Sequence, residues 1–307
     1  IAQQTKQPTA IVCTSGSALL NYYPALAEAF YSQIPMIVIS ADRPQSKIDI
    51  GDGQTIRQEN VFANHSVFNA NLTEEASEEN DLKINLAIET AILKKGPVHI
   101  NAPFEEPLYE TTEKLSVHPK ITNPELHNFA KTIENSDEFV SVWNNAKRKL
   151  ILVGVNEANS IDQEIIENLA SDPSVVVLTE TTSNLHNESF INSIDTLITP
   201  FDDFDFKQFN PEVLVTFGGM VVSKRIKGFL RKYKPKHHWH IDTLRAYDTF
   251  GALTKHFEMY PNDFFKNLLP KTTFVKSNYF KNIDTVYRTR LERRKEYLSK
   301  IDFSDFK

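Results

Sequence analysis

The feature that most constrains the fold is an alternation of short β-branched segments with amphipathic helical segments. In the first third of the chain, buried-strand patterns at 9–14, 35–40 and 97–101 alternate with helical patterns at about 17–31 and 81–94. Consecutive strands joined by helices run parallel, because the crossover helix returns the chain to the same end of the sheet. This part of the chain is therefore predicted to form a parallel α/β sheet, with Ser17 as the N-cap of the first helix.

A second α/β series follows a polar, proline-rich stretch at 103–125. Its predicted strands lie at 150–154, 174–178, 213–217 and 238–242, and its predicted helices at about 124–145, 161–170, 223–232 and 279–300. This order predicts a doubly wound, Rossmann-like domain.

Composition excludes several classes of protein. The chain has 34 Lys and Arg against 40 Asp and Glu, and this net charge of −6 argues against a dedicated nucleic-acid binder. The single cysteine, Cys13, excludes an intrachain disulfide framework and suits a reducing compartment. No apolar run is long enough to span a membrane, and no signal peptide is visible. We expect a cytoplasmic protein with neither nucleic-acid nor membrane partners.

Two patterns resemble metal sites but are predicted to be structural. Gly51-Asp-Gly53 and Asn80 have the letters of a magnesium–diphosphate signature, yet no buried strand leads into Asp52, so a loop turn is predicted. His237-His-Trp-His240 places at most two imidazoles on one face of a strand, with no local residue to complete a tetrahedral set. A sheet-edge strand is predicted there, and no metal ligand is assigned.

Glycine placement argues against a dinucleotide site. No GxGxxG follows any predicted strand, and the turn at Gly154 has one glycine only, which disfavours nicotinamide and flavin dehydrogenases. Gly218-Gly219 follows a strand and is equally compatible with a closely approaching ligand or with a tight turn.

Lys224 and Arg225 are candidate ligands for an anion. They follow Ser223 at the start of a predicted helix and after a predicted strand, where open α/β sheets bind ligands and helix N-terminal amides attract anions. The alternative is a solvated helix face shared with three further cations, and the pattern alone favours it: Lys227, Arg231 and Lys232.

Arg57 is a weaker candidate of the same kind. It lies between amide side chains in Gln54-Thr-Ile-Arg-Gln58, an arrangement that suits bidentate binding of a carboxylate.

Several segments, taken in order, resemble one family. They are Thr14-Ser-Gly-Ser-Ala-Leu-Leu-Asn21, Ser40-Ala-Asp-Arg-Pro44, Gln54-Thr-Ile-Arg-Gln58 and Val98-His-Ile-Asn-Ala-Pro-Phe-Glu-Glu-Pro-Leu108. The first is similar to the TSGPGxxN segment in the pyrimidine-binding domain of thiamine-diphosphate enzymes, with Ser17 where many relatives have proline. Together they resemble the 2-succinyl-5-enolpyruvyl-6-hydroxy-3-cyclohexene-1-carboxylate synthase family (MenD) of menaquinone biosynthesis, and Ser223-Lys-Arg-Ile226 is similar to the segment with its basic pair.

The resemblance implies an activity and roles for residues. The family decarboxylates 2-oxoglutarate on thiamine diphosphate, with Mg²⁺, and adds the product to isochorismate, so the small-molecule substrates are anions. The substrate-binding residues that it implies are Arg57, Lys224 and Arg225, and the cofactor-binding residues are Ser15, Gly16, Asn21 and Gln58. A homodimer or homotetramer is implied for the whole enzyme.

The resemblance also implies that the chain is part of a longer enzyme. The glutamate that activates the aminopyrimidine would precede Ile1, and the diphosphate domain with its metal site would follow Lys307. We therefore expect the C-terminal part of an incomplete pyrimidine-binding domain at 1–115, a linker at 116–123, a Rossmann-like central domain at 124–275 and a linker helix at 276–307. Alone, the chain is expected to be inactive and to bind no cofactor tightly.

Two alternatives stay open at this point. One is another thiamine-diphosphate synthase or decarboxylase of the acetolactate-synthase type, against which the absence of TSGPG and the segment at 54–58 speak. The other is a non-catalytic Rossmann-like module that binds an anion at Lys224 and Arg225.

Overall fold

Two compact units make up the chain, Ile1–Asn128 and Phe129–Lys307. The computed structural model describes residues 1–105, 109, 111, 113–114, 118–122 and 129–302. Both units are α/β structures with parallel sheets, as the alternation predicts. The predicted linker at 116–123 lies partly outside the described residues. Residues 106–108, the end of the last family-like segment, lie wholly outside them. The domain bounds stay predictions.

The first unit contains a four-stranded parallel sheet. Its strands are β1 (Thr9–Cys13), β2 (Met36–Asp42), β3 (Phe68–Asn71) and β4 (Pro97–Pro103), and its helices are α1 (Ala2–Thr5), α2 (Tyr23–Tyr31) and α3 (Glu78–Leu93). The strand order is β1-β2-β4-β3. Helix α3 begins earlier than predicted because the Ser77 hydroxyl caps it, accepting the Asn80 N–H at 3.2 Å.

The segment after β1 differs from the predicted helix. Gly16–Tyr22 forms a 3₁₀ helix with Ser15 at its N-cap, so the prediction of Ser17 as N-cap is wrong. The α-helix starts only at Tyr23, since Pro24 has no N–H to donate to Leu20 and suits the first helical turn. The sequence pattern also missed β3, a four-residue strand in which asparagines, poor strand formers, alternate with apolar residues.

The second unit has a five-stranded parallel sheet. Its strands are β5 (Lys149–Val153), β6 (Val175–Leu178), β7 (Val213–Phe217), β8 (His237–Ile241) and β9 (Lys255–Phe257). Its helices are α4 (Ser136–Asn145), α5 (Gln163–Ser171), α6 (Ile194–Ile198), α7 (Asp203–Phe209), α8 (Lys224–Lys232), α9 (Pro261–Leu268) and α10 (Tyr279–Lys300). The strand order β6-β5-β7-β8-β9 is that of a doubly wound sheet, whose ligand crevice is expected between β5 and β7, where the order reverses.

Helices cover both faces of this second sheet. Apolar side chains of α4, α5 and α9 pack with Trp239 on one face, and those of α6, α8 and α10 pack with Leu214 on the other. None of the helices in the described ranges is long and apolar enough to cross a membrane.

Two predictions for this unit are wrong. The helix predicted at 124–145 begins at Ser136, because Asn135 has a left-handed backbone (φ 52°) and 129–135 are not helical; 124–128 lie outside the described residues. The histidine-rich strand β8 is not at the sheet edge, because β9 pairs with it in parallel. A three-residue strand such as β9 has too little alternation to be read from sequence.

Candidate functional site

The turn after β1 is held by a side chain from the loop after β2. The Gly16 N–H donates to Gln58 Oε1 at 2.7 Å, and Gln58 is only 1% exposed. Gly16 has φ +87°, and a Cβ there would lie 3.2 Å from the Gln54 carbonyl oxygen. The loop at 54–58 and the β1 turn are thus packed backbone to backbone at the carboxyl end of the first sheet.

Polar side chains inside β2 and β4 lie beneath this turn. Ser40 Oγ is 2.8 Å from both His99 Nε2 and Asn101 Oδ1, and all three residues are buried. Burial lowers the pKa of His99 to about 4, so its imidazole is neutral at physiological pH. Sequence reasoning assigned no role to these residues, although a hydroxyl, an imidazole and an amide within otherwise apolar strands are a signal for a buried polar site.

The other residues predicted in the first unit differ in exposure. Ser15 is buried, Asn21 is exposed, and neither side chain makes a hydrogen bond with a described residue. Arg57 is exposed, and its Nε donates to Asp49 Oδ2 at 2.8 Å. The structure therefore brings Ser15, Gly16 and Gln58 together, while Arg57 lies on the surface of the loop.

Asp52 and Asn80 of the magnesium-like motif make local hydrogen bonds, and the loop turn predicted at Asp52 is observed. Asp52 is exposed in a turn, where its Oδ1 accepts the Gly53 N–H. Asn80 is buried in α3, and its amide nitrogen donates to the carbonyls of Thr73 and Glu75 at 3.0 and 2.9 Å. Both polar groups are used within their own loops.

In the second unit, the cations of α8 fall into two groups. Three have partners: Lys227 Nζ donates to the Val221 carbonyl, Arg231 Nε to the Thr249 carbonyl, and Lys232 Nζ to Asp203. Lys224 and Arg225 are exposed and make no hydrogen bond or ion pair with any described residue. The exposure of Lys224 and Arg225 is equally compatible with the alternative of a solvated helix face.

The protein's own groups bind three backbone amides around the start of α8, those of Val222, Ser223 and Ile226. The carboxylate of Glu180 accepts the N–H groups of Val222 and Ser223 at 2.7 and 2.6 Å. Ser223 Oγ accepts the Ile226 N–H and donates to Asp195. These three amides are therefore not available to an external anion, while the contribution of the helix N-terminus to the field at Lys224 and Arg225 stays a prediction.

The crevice between β5 and β7 is closed by direct backbone contact. A Cβ on Gly154 would lie 2.0 Å from the Gly219 carbonyl oxygen, and the Gly219 N–H donates to the Val155 carbonyl at 2.7 Å. Gly218 has φ +80°, which favours glycine. The glycine pair therefore forms a tight turn, and the loops after β5 and β7 are in direct backbone contact.

The histidines of β8 share one threonine. Thr216 Oγ1 is 2.9 Å from His238 Nε2 and 2.8 Å from His240 Nδ1. Burial, with a smaller contribution from His240, lowers the pKa of His238 to about 4. Within the described ranges no group of three or more His, Cys, Asp or Glu could hold a metal ion.

Comparisons with known proteins match the chain to one family model and to several curated relatives. Residues 1–65, which include every predicted site residue of the first unit, match the family model described as "Thiamine pyrophosphate enzyme, N-terminal TPP binding domain". Over its full length the chain is 78% and 64% identical to the 2-succinyl-5-enolpyruvyl-6-hydroxy-3-cyclohexene-1-carboxylate synthases of Flavobacterium johnsoniae and Flavobacterium psychrophilum, covering 56% of each. It is 35% identical to the synthase of that name from Desulfotalea psychrophila, over 87% of this chain and 51% of that relative. The chain spans about half the length of the curated relatives it matches.

Proposed function

Because the chain belongs to the 2-succinyl-5-enolpyruvyl-6-hydroxy-3-cyclohexene-1-carboxylate synthase family, we propose that the protein carrying it decarboxylates 2-oxoglutarate and adds the remaining carbon unit to isochorismate. Such a protein is a transferase of menaquinone biosynthesis that depends on thiamine diphosphate and Mg²⁺. Both substrates are carboxylates, so the reaction needs cations that the fold leaves unpaired.

The observation that carries this proposal is the pair of cations on α8 that have no partner in the part of the chain that the structure describes. Lys224 and Arg225 lie beside three cations that the fold pairs internally, which leaves these two available for a substrate carboxylate. Arg57 would bind another carboxylate in exchange for Asp49, since an exposed ion pair of this kind contributes only about 0–1 kcal/mol. These side chains would orient the substrates and neutralise their charge.

The residues after β1 fit the pyrimidine half of the cofactor. The Ser15 hydroxyl and the Asn21 amide have no partner among the described residues and are available to ring nitrogens and the amino group. When bound, thiamine diphosphate supplies the nucleophilic carbon that the 2-oxo acid requires. We assign Mg²⁺ to none of the described residues, because they contain no group of ligands for it.

Kinetics of a protein of the relatives' length would test the proposal. Lys224→Ala and Arg225→Ala should each raise the KM of an anionic substrate about tenfold, the equivalent of one charge-assisted hydrogen bond of ~1.5 kcal/mol. Arg231→Ala, on the same helix but internally bonded, is the matched control and should leave that KM unchanged. Equal effects of all three substitutions would contradict the assignment, and product from pyruvate alone would indicate an acetolactate-type enzyme instead.

The 307-residue chain by itself is proposed to be inactive. Incubation with thiamine diphosphate, Mg²⁺, 2-oxoglutarate and isochorismate should yield no product, because the chain spans only 56% of the synthases it matches over its full length. Turnover by the chain alone would refute this part of the proposal.

A further inference from the structure

Both polar atoms of the Gln58 side chain make hydrogen bonds inside the protein. Its Oε1 accepts the Gly16 N–H at 2.7 Å, and its Nε2 donates to the Ala41 carbonyl and to Asn101 Oδ1, each at 2.9 Å. These partners follow β1, lie in β2 and lie in β4, so one amide joins the carboxyl ends of three strands. At 1% exposure, Gln58 has no surface with which to contact a ligand.

A chain of hydrogen bonds fixes which way this amide points. The Asp42 carboxylate only accepts, so Asn101 turns its Nδ2 toward Asp42 Oδ2, at 2.7 Å. Asn101 Oδ1 then faces Gln58 and requires a donor from it. Gln58 donates that hydrogen bond from its NH₂ group, which leaves Oε1 to accept the Gly16 N–H. Asp42, in the strand β2 that pairs with β1, therefore supports the polarity of the contact at Gly16, which the Gly16 N–H and the Ala41 carbonyl also fix.

We propose that Gln58 is a positioning residue that acts through the backbone of Gly16 and does not itself contact the cofactor. By fixing the Gly16 turn it places Ser15 and Asn21, the side chains available to the pyrimidine ring. This inference rests on the proposed function for its catalytic consequence, and it replaces the direct cofactor contact that the resemblance implies for Gln58.

The hydrogen bond can be observed at a single amide of the chain, without any activity. Among the nine glycines of the sequence, only Gly16 follows a serine. Labelling serine with ¹³C at the carbonyl and glycine with ¹⁵N therefore gives a single Ser–Gly correlation in an NMR spectrum, that of the Gly16 amide. Gln58→Met should speed exchange of the Gly16 amide with solvent about tenfold, since a buried N–H loses its acceptor. Asp42→Asn should speed it in the same direction by a smaller factor, because the Asn101 amide is then free to flip. Gln208→Met, at an exposed glutamine of the second unit, should leave the rate unchanged.

The same variants separate positioning from direct contact in a protein of the relatives' length. Gln58→Met and Asp42→Asn should both raise the KM for thiamine diphosphate, and the double variant should be no worse than Gln58→Met alone. An unchanged Gly16 exchange rate in Gln58→Met would overturn the inference, as would a KM effect confined to Gln58. If Gln58→Met does not fold, Asp42→Asn carries both measurements. An absence of the proposed synthase reaction from the unaltered protein would refute the proposed function, while the exchange result would still decide the role of Gln58.

Discussion

Acid should destabilise the second unit through His238, which can be measured without interference from the first unit. His238 is 1% exposed, its Nδ1 has no hydrogen-bond partner, and its pKa is lowered from 6.5 to about 4 by burial and by the neighbouring His240, against a weaker opposing effect of Asp248. The folded state therefore prefers the neutral imidazole. The stabilisation of the folded state by the neutral His238 imidazole is fully present above pH 6.5 and is lost as the pH falls from 6.5 toward 4.

The expected loss follows from that difference in pKa. At 1.36 kcal/mol per pKa unit, the gap between 6.5 and about 4 corresponds to about 3 kcal/mol at full protonation, and to about 2 kcal/mol at pH 5. His238→Gln keeps an amide for Thr216 but cannot titrate. The free energy of unfolding of this variant should fall by about 2 kcal/mol less than that of the unaltered chain between pH 7.5 and pH 5.

Tryptophan fluorescence during urea denaturation isolates this effect. The chain has two tryptophans, Trp143 and Trp239, and both are buried in the second unit. His186→Gln, an exposed histidine of the same unit, is the matched control and should leave the pH dependence unchanged. An equal pH dependence in His238→Gln and the unaltered chain would refute the reasoning, because it would mean that His238 titrates normally in the folded state.

Two further substitutions test packing in the second unit by the same fluorescence assay. Gly154→Ala should lower the free energy of unfolding by more than 2 kcal/mol, since its Cβ would lie 2.0 Å from the Gly219 carbonyl oxygen. Gly228→Ala is the control: it lies in open space on α8 and should raise the free energy of unfolding by about 0.5–1 kcal/mol. Equal effects of the two substitutions would contradict the contact at Gly154. Lys149→Met should lower the free energy of unfolding by about 3 kcal/mol, because Lys149 and Asp172 form a buried ion pair and the carboxylate would lose its cation. Adding Asp172→Asn should recover part of this loss. An unchanged free energy of unfolding in Lys149→Met would show that Asp172 is not charged there.

Elements with strong local signals could be predicted from the sequence. The continuous β-branched run of β7 and the long helical pattern of α10 have the predicted bounds, and α8 begins one residue after its predicted start, with Ser223 as its N-cap. The short strands β3 and β9 were missed, since neither carries enough alternation to outweigh its polar residues.

The candidate site was predicted in its residue types but not in its contacts. Gln58 and Gly16 are separated by 42 residues, and so are Glu180 and Val222. Hydrogen bonds between such distant residues depend on which strand ends are brought together, and no local pattern encodes that. The family resemblance therefore implied a cofactor-binding role for Gln58, while only the structure showed that its amide is buried and bonded to the turn after β1.

The glycine contact between the loops after β5 and β7 has a thermodynamic consequence for ligand capture. In an open sheet these two loops are usually independent of each other. Here the hydrogen bond from the Gly219 N–H to the Val155 carbonyl joins them into one rigid rim. Helix α8 starts from this rim, so the backbone beneath Lys224 and Arg225 is already ordered before any anion arrives. Association there would cost the freezing of two side chains, about 0.5–1.5 kcal/mol each, and no loop closure.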